Sequence, residues 1–245
     1  MAGRLLVTEG LTKRYGGLLA NDRVALSIDA GEIRGIIGPN GAGKTTLVNL
    51  ITGIEQPDAG EIRLLDRCLV GLAPHQIAAE GLARSFQVAR VFANLTVRDN
   101  LMVPYFASAQ TRGTAPGLAR AAELLALSTL EPLADQPAKS LSGGQRMLLQ
   151  ACAGFMIPGV KLHVLDEPFA GINPVVKDTL IDLITLENRR SGAAFAIVSH
   201  EMEVIGRLCP RVTVMIAGRI AAEGPLAEIV ALEDVITAYL GRPSS

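Results

Sequence analysis

The sequence predicts an α/β protein with a parallel sheet, an antiparallel β region and an inserted helical region. Three observations lead to this prediction. A short apolar strand, a glycine-rich loop and an apolar-periodic helix follow one another over residues 31–51. Several short strand-like segments lie close to this unit along the chain. From about residue 88 to residue 159, helix-forming residues dominate and strand patterns disappear.

The glycine-rich loop at residues 38–45 matches the spacing G-x-x-x-x-G-K-[ST] in full. Glycines allow successive backbone N–H groups to point at phosphate oxygens, and the helix start adds unpaired donors and a positive dipole end. Lys44 is expected to reach the β- and γ-phosphates, and Thr45 to offer its hydroxyl to Mg²⁺. The alternative is a glycine turn that matches by chance. The predicted nucleoside triphosphate site comprises Gly38, Pro39, Asn40, Gly41, Ala42, Gly43, Lys44, Thr45 and Thr46.

The first part of the chain is expected to hold mixed strands around one helix. Strands that precede the glycine-rich loop indicate an antiparallel subdomain packed against the parallel sheet. The predicted strands are 5–11, 24–28, 33–37, 61–65 and 82–87, and the predicted helices are 46–51 and 74–80.

Residues 88–159 are expected to form a helical subdomain inserted into a core of about 1–87 and 160–245. Thr96 is a predicted helix N-cap. Because no linker or repeat separates independent units, residues 1–245 are expected to form a single domain. Within the helical subdomain, a loop is predicted at 110–117 and helices at 118–130 and 142–156.

The remainder of the chain returns to buried strands that alternate with helices. Strands are predicted at 161–167 and 194–200, a hairpin at 211–223, and helices at 174–190, 201–208, 226–230 and 235–240.

Polar side chains stand at the carboxyl ends of the predicted strands, where open α/β sheets bind ligands. Besides the glycine-rich loop, these are Gln87, Asp166 with Glu167, and His200. Asp166 is expected to join the Mg²⁺ shell, and Glu167 to orient or deprotonate an attacking water. An Asp-Glu pair of this kind is otherwise a helix cap or a solvated turn. His200 is either a γ-phosphate donor or a structural hydrogen-bonding residue, and the residues alone leave both open.

Ser142, Gly143, Gly144 and Gln145 follow Leu141 within the helical region. Two glycines before a helix make another N-terminus suited to an anion, with Ser142 as the cap or as a phosphate donor. The alternative is a plain capped helix, because one chain does not need two phosphate sites. The residues do not separate these two interpretations.

Composition narrows the function classes. An apolar fraction of 49% and a charged fraction of 19% fit a globular chain of 245 residues with a sizeable core. A net charge of −1 gives no electrostatic reason to expect nucleic acid or an anionic membrane surface. Three widely spaced cysteines indicate neither a disulfide framework nor a metal site. Without an apolar run near 18 residues or a signal-peptide pattern, a soluble cytoplasmic protein is expected.

Together these residues resemble the nucleotide-binding subunit of ATP-binding cassette (ABC) transporters over residues 5–240. The most specific element is Leu-Ser-Gly-Gly-Gln at 141–145, which looks like the ABC signature. The resemblance implies a P-loop NTPase fold, with ATP and Mg²⁺ as cofactors. It also implies a dimer in which the signature of one chain closes on the ATP bound to the other, so that Ser142, Gly143, Gly144 and Gln145 would contact nucleotide.

The same resemblance implies individual roles. Tyr15 would stack on adenine, and Gln87 would contact Mg²⁺ and sense the transmembrane partner. Asp166 would hold Mg²⁺ through water, Glu167 would polarise the attacking water, and His200 would contact the γ-phosphate. Asn173 stands in the D-loop where many ABC proteins carry Asp. The implied catalytic residues are Lys44, Glu167 and His200, and the implied metal site is Thr45, Gln87 and Asp166.

Several stretches look like the ATPases of branched-chain amino-acid importers. This likeness implies ATP hydrolysis that powers import of branched-chain amino acids or related small amides and metabolites. The implied partners are a second ATPase subunit in a homo- or heterodimer, two transmembrane permease subunits and, indirectly, a periplasmic or extracellular solute-binding protein, with no nucleic acid. The expected location is the cytoplasmic face of the inner or plasma membrane. The stretches are 15–22, 49–53, 81–87, 95–101 and 170–174.

Other functions share parts of this pattern. A small-molecule kinase has the P-loop but not the signature, and non-transport ABC ATPases usually carry two cassettes or a long insertion. The ABC ATPase of a lipid or polysaccharide exporter is the nearest alternative.

Two departures from the family pattern are expected to matter. Gly154 lies where the family has a small-Arg-Ala-Leu run, which is expected to weaken the helix by roughly 1 kcal/mol. Pro210 replaces a common acidic residue, which is expected to shift the entry to the hairpin at 211–223.

Overall fold

A computed structural model describes residues 3–85, 90–108, 111 and 113–240 of the chain. Over these residues it has the predicted α/β fold, with a mainly parallel sheet, an antiparallel sheet and an inserted helical subdomain. The strands are Arg4–Tyr15 (β1), Leu18–Val24 (β2), Ser27–Asp29 (β3), Ile33–Ile37 (β4), Ala59–Leu64 (β5), Arg67–Cys68 (β6), Leu82–Arg84 (β7), Leu162–Asp166 (β8), Ala194–Val198 (β9), Arg211–Ile216 (β10) and Arg219–Gly224 (β11). The helices are Lys44–Ile51 (α1), Pro74–Ala79 (α2), Val97–Ala107 (α3), Thr114–Leu127 (α4), Gly143–Phe155 (α5), Pro174–Ser191 (α6), Met202–Leu208 (α7), Leu226–Ile229 (α8) and Glu233–Leu240 (α9).

The larger sheet has the strand order β11-β10-β4-β9-β8-β7. Its strands β10, β4, β9, β8 and β7 run parallel, and β11 pairs antiparallel to β10 at the edge. Strands β4, β8 and β9 are buried at every residue, as expected for central parallel strands that are covered on both faces. Because the parallel strands end at one edge, that edge collects the loop after β4, the end of β8 and the residues after β9.

Strand β4 lies between two hydrophobic cores. Ile33 and Ile37 belong to a core that includes side chains of the helical subdomain, such as Leu101 and Leu148. Ile36 belongs to a second core, which includes side chains of the antiparallel sheet and of α1. Successive side chains of a strand point to opposite faces, so one short strand contributes to both cores. The start of the glycine-rich loop is therefore fixed from two sides.

Arg34 of β4 is fully buried and makes several charged and polar contacts. Its guanidinium donates to the carboxylates of Glu32 at 2.5 Å and Glu223 at 2.7 Å, and to the hydroxyl of Thr213 at 2.9 Å. A buried charge requires such partners, because it has lost its hydration. These contacts join β4 to the hairpin of β10 and β11.

The antiparallel sheet has the order β2-β1-β5-β6, with β3 also paired to β1. The prediction of one strand at 24–28 was wrong, because β2 ends at Val24 and β3 starts at Ser27. Arg23, near the end of β2, has a φ of 50°, so the chain bends there. Strand β2 pairs with the second half of β1. Residues 18–23 place Asn and Asp among apolar residues and gave no strand pattern.

The helical subdomain also differs in part from the prediction. Helix α4 begins at Thr114 and ends at Leu127, so the predicted loop at 110–117 is too long and the predicted helix at 118–130 is displaced. Gly117 lies inside α4, where a Cβ atom would be 2.5 Å from Cε1 of Tyr105. Close packing on α3 therefore outweighs the low helix propensity of glycine. The predicted N-cap at Thr96 is confirmed, since its hydroxyl accepts from the N–H of the third residue of α3. The hydroxyl of Ser142 accepts from the N–H of the third residue of α5, so Ser142 caps that helix, which is one of the two roles that the sequence left open.

The described helices include none with both the length and the apolar character needed to cross a membrane. Pro210 lies next to β10, which keeps a regular parallel register with β4. The predicted effect on entry to this hairpin is therefore not seen in the pairing.

Candidate nucleotide-binding site

The glycine-rich loop joins the end of β4 to the start of α1. Gly41 and Gly43 have φ values of 78° and 96°, a region that L-residues rarely adopt. A Cβ atom on Gly43 would lie 2.3 Å from the carbonyl oxygen of Ala20 in β2. Glycine is thus required at position 43 both by the backbone conformation and by the contact with the antiparallel sheet.

Lys44 is the first residue of α1, and its side chain folds back over the loop. Its ammonium donates to the carbonyl oxygens of Gly38 at 2.7 Å and Pro39 at 3.1 Å. Burial lowers the pKa of Lys44, and the carboxylates of Glu167 and Asp166 oppose this shift. The positive charge therefore lies at the mouth of the loop, close to both acidic residues.

A cleft of about 440 Å³ lies above the loop. It brings together residues from β1, the loop, α1 and the end of β8, as the predicted meeting of strand ends requires. Its lining includes Tyr15, Asn40, Gly41, Ala42, Gly43, Lys44, Thr45, Thr46, Asp166 and Glu167.

Asp166 is the last residue of β8 and is mostly buried. Arg84 donates to its Oδ2 at 3.1 Å. Burial raises the pKa of Asp166, and the charge of Arg84 opposes that shift. A carboxylate and the hydroxyl of Thr45 in one cleft are hard oxygen donors, so the residues present fit Mg²⁺ bound together with phosphates.

Glu167 follows Asp166 and has a left-handed backbone, with a φ of 50°. Its N–H donates to the carbonyl oxygen of Val198 at 2.9 Å, which joins the turn to the end of β9. Its Oε2 lies 2.9 Å from Nδ1 of His200. The acid and the histidine, which come from two neighbouring strand ends, therefore contact each other directly.

Tyr15 lies at the other end of the cleft and is about half exposed. Its hydroxyl contacts the carboxylate of Glu55, and the ammonium of Lys13 lies 5.7 Å from the ring centre. Burial and the bond to Glu55 raise the pKa of Tyr15. An aromatic face at this position suits stacking on a nucleobase.

Residues 142–145 lie apart from this cleft, at the N-terminus of α5. The N–H of Gln145 donates to Oγ of Ser142 at 3.3 Å, and the N–H of Ser142 donates to Oε1 of Gln145 at 2.9 Å. This reciprocal capping box leaves Ser142 and Gly143 exposed. Gly144 faces α6, where a Cβ atom would be 3.1 Å from Val176. Gln87, the remaining predicted site residue, lies outside the described residues.

A family model described as ABC transporter matches residues 21–170, which is more than half of the chain. This chain belongs to the ABC transporter family. Its fold is that of the ABC ATPases, and it is an ATP-binding chain with the ATPase activity of that family.

Named relatives cover this ABC chain almost completely. The probable branched-chain amino acid transport ATP-binding protein LivG of Archaeoglobus fulgidus is 32% identical, over 99% of this chain and 97% of its own length. The high-affinity branched-chain amino acid transport ATP-binding protein LivG of Salmonella typhimurium is 36% identical, over 99% and 100%. The crystal structure of the ADP conformation of MJ1267, an ATP-binding cassette of an ABC transporter, is 28% identical and covers 98% of this chain and 100% of its own, with a TM-score of 0.85.

The ABC fold brings two further residues to the site that the sequence did not single out. Arg84, at the end of β7, contacts Asp166. Tyr239 of α9 lies near Gly38 and Glu167, and burial raises the pKa of its phenol. Arg84 lies inside a stretch of subfamily likeness, which was the only sequence signal for it. Tyr239 carried no such signal, because its contact with the loop depends on how α9 folds back.

Proposed function

We propose that this chain is the ATP-hydrolysing subunit of an importer for branched-chain amino acids or related small amides and metabolites. The observation that carries the ATPase part is the cleft that joins Lys44, Asp166 and Glu167. The substrate class is supported by full-length relatives whose names state branched-chain amino acid transport. The proposed partners are a second ATPase subunit, two permease subunits and, indirectly, a solute-binding protein. The proposed location is the cytoplasmic face of the membrane.

In this proposal the loop binds the phosphates of ATP. Backbone N–H groups of the glycine-rich loop after Pro39 and of the first turn of α1 donate to phosphate oxygens, and Lys44 adds a positive charge. Tyr15 stacks on the base at the other end of the cleft. Thr45, Asp166 and Gln87 are the residues that would hold Mg²⁺, which when bound neutralises phosphate charge during transfer.

Glu167 is the proposed general base. It lines the same cleft and accepts a proton from, or orients, the attacking water. His200 contacts the same carboxylate and is proposed to hold its orientation and to donate to the γ-phosphate. The four residues at the start of α5 lie away from this cleft and are exposed or half-buried, which supports their proposed contact with the nucleotide of a second subunit. They are Ser142, Gly143, Gly144 and Gln145.

The test is uptake of labelled leucine, isoleucine and valine by a strain that lacks this gene. The wild-type chain is expected to restore uptake, and Lys44→Ala is not, because loss of a charged phosphate contact weakens ATP binding by roughly tenfold or more. Lys161→Ala is the matched control, since Lys161 is exposed and donates to a carbonyl of Glu80. Purified Lys44→Ala with parental ATP turnover would contradict the ATPase assignment. If the wild-type chain hydrolyses ATP but does not restore uptake of leucine, isoleucine and valine, the proposed substrate class is wrong.

A further inference from the structure

Arg84 makes several hydrogen bonds that are separate from those of the glycine-rich loop. It is the last residue of β7, which pairs in parallel with β8. One terminal nitrogen, Nη2, donates to Oδ2 of Asp166 at 3.1 Å. The other, Nη1, donates to Oδ1 of Asn49 at 2.7 Å and to Oγ1 of Thr52 at 3.1 Å. One guanidinium therefore contacts both the acidic strand end and the helix that follows the loop.

These contacts are shielded from solvent. The side chain of Arg84 is 11% exposed, and that of Asp166 is 7% exposed. A planar guanidinium that donates in two directions fixes the direction of both acceptors, which a lysine ammonium on a flexible stem does not. Because Oδ2 of Asp166 accepts from Arg84, the rotation of this carboxylate is restricted.

The contacts continue beyond Arg84 to the far end of the cleft. The amide of Asn49 also donates through Nδ2 to Oε1 of Glu55 at 2.7 Å. The second oxygen of Glu55 accepts from the hydroxyl of Tyr15. A continuous hydrogen-bonded chain thus runs from Tyr15 through Glu55, Asn49 and Arg84 to Asp166.

We propose that Arg84 is a positioning residue that orients Asp166 toward the metal bound with ATP, and that Asn49 holds Arg84 in place. Partners that orient a metal-binding carboxylate typically contribute 10- to 100-fold to metal affinity. The inference rests on the proposed function, because it requires that the cleft binds ATP with Mg²⁺.

The experiment measures the affinity of a fluorescent ATP analogue for the purified chain, in EDTA and in a Mg²⁺ titration. Arg84→Gln is expected to keep the affinity in EDTA within about twofold and to lose roughly tenfold of the Mg²⁺-dependent gain. Arg84→Lys is expected to recover part of this gain, since a lysine can pair with Asp166 but cannot also contact Asn49 and Thr52.

The matched control is Arg120→Gln. Arg120 is 15% exposed and is paired with Glu187, which is 11% exposed, and it lies outside the lining of the nucleotide cleft. This variant is expected to keep the parental Mg²⁺ dependence. Should Arg84→Gln not fold, Asn49→Ala gives the same measurement, with a smaller expected loss.

Two results would overturn the inference, and they are distinguishable. If the parent gains affinity with Mg²⁺ and Arg84→Gln gains it equally, Arg84 does not position Asp166. If the parent binds no ATP analogue in either buffer, the proposed function fails as well.

Discussion

Glu167 shows how the site depends on single residues. Non-glycine residues with a φ of 50° cost roughly 1–3 kcal/mol and persist where surrounding contacts determine them. Here the backbone bond to Val198 and the contact with His200 hold the residue. A substitution that keeps the shape of the side chain leaves both contacts possible, so Glu167→Gln tests chemistry rather than folding.

Because His163 of β8 is buried, the unfolding free energy is expected to fall at acidic pH. Its ring stacks on Phe195 at 4.8 Å, and burial lowers its pKa to about 3. The unfolded chain binds a proton below a pKa of about 6.5 while the folded chain does not, so stability present above pH 6.5 is lost as the pH falls toward 3. His163→Leu is expected to lose about 2 kcal/mol less unfolding free energy than the parent between pH 7 and pH 5. Urea unfolding at both pH values measures this, and equal losses in the two proteins would refute it.

At the scale of elements, the sequence predicted the features that depend on residues close together along the chain. The N-cap of α3 by Thr96 depends on residues three apart, so the sequence predicted it. Strand β2 was not predicted, because its pairing with β1 depends on a bend at Arg23 and on contacts distant in sequence. The same holds in the site, since the glycine-rich loop is a local motif and the contact of Arg84 with Asp166 spans two strands.

Gly117 and Gly154 both lie within helices, but replacing each with alanine is expected to change the unfolding free energy in opposite directions. A Cβ atom at Gly154 in α5 would meet nothing within 4 Å, while one at Gly117 in α4 would collide with Tyr105. Gly154→Ala is expected to raise the unfolding free energy by about 0.5 kcal/mol, less than a full interior effect because α5 ends one residue later. Gly117→Ala is expected to lower it by about 1–3 kcal/mol. Chemical denaturation of both variants provides the comparison, and destabilisation by Gly154→Ala would disprove the account of α5.

The whole molecule exposes one half of what we propose to be a two-chain site. The cleft with Lys44 and the capped end of α5 with Ser142 are separate in one chain. Next to α5, Asn173 caps α6 by accepting from the N–H of Val176 at 3.0 Å. Asp and Asn serve equally as such caps, so the departure at position 173 leaves the helix start intact.

This arrangement predicts the behaviour of Glu167→Gln in solution. The variant is expected to bind ATP, lose most hydrolysis and accumulate as an ATP-bound dimer, because the nucleotide that joins the chains is no longer cleaved. Size-exclusion chromatography with and without ATP detects the dimer. The control is the same variant with Lys44→Ala, which is expected to stay monomeric. Hydrolysis at the parental rate would rule out the general-base role.

The carbonyl oxygen of Ala20 lies so close to two glycines, Gly43 and Gly218, that a Cβ on either would be within 3 Å of it. Three segments that are distant in sequence thus meet at one point, at the glycine that precedes Lys44. Hybrid cassettes assembled from related genes must then exchange the N-terminal sheet together with its two neighbours. The N-terminal sheet and the phosphate loop therefore form one structural unit, in which a side chain at either glycine would displace the other part.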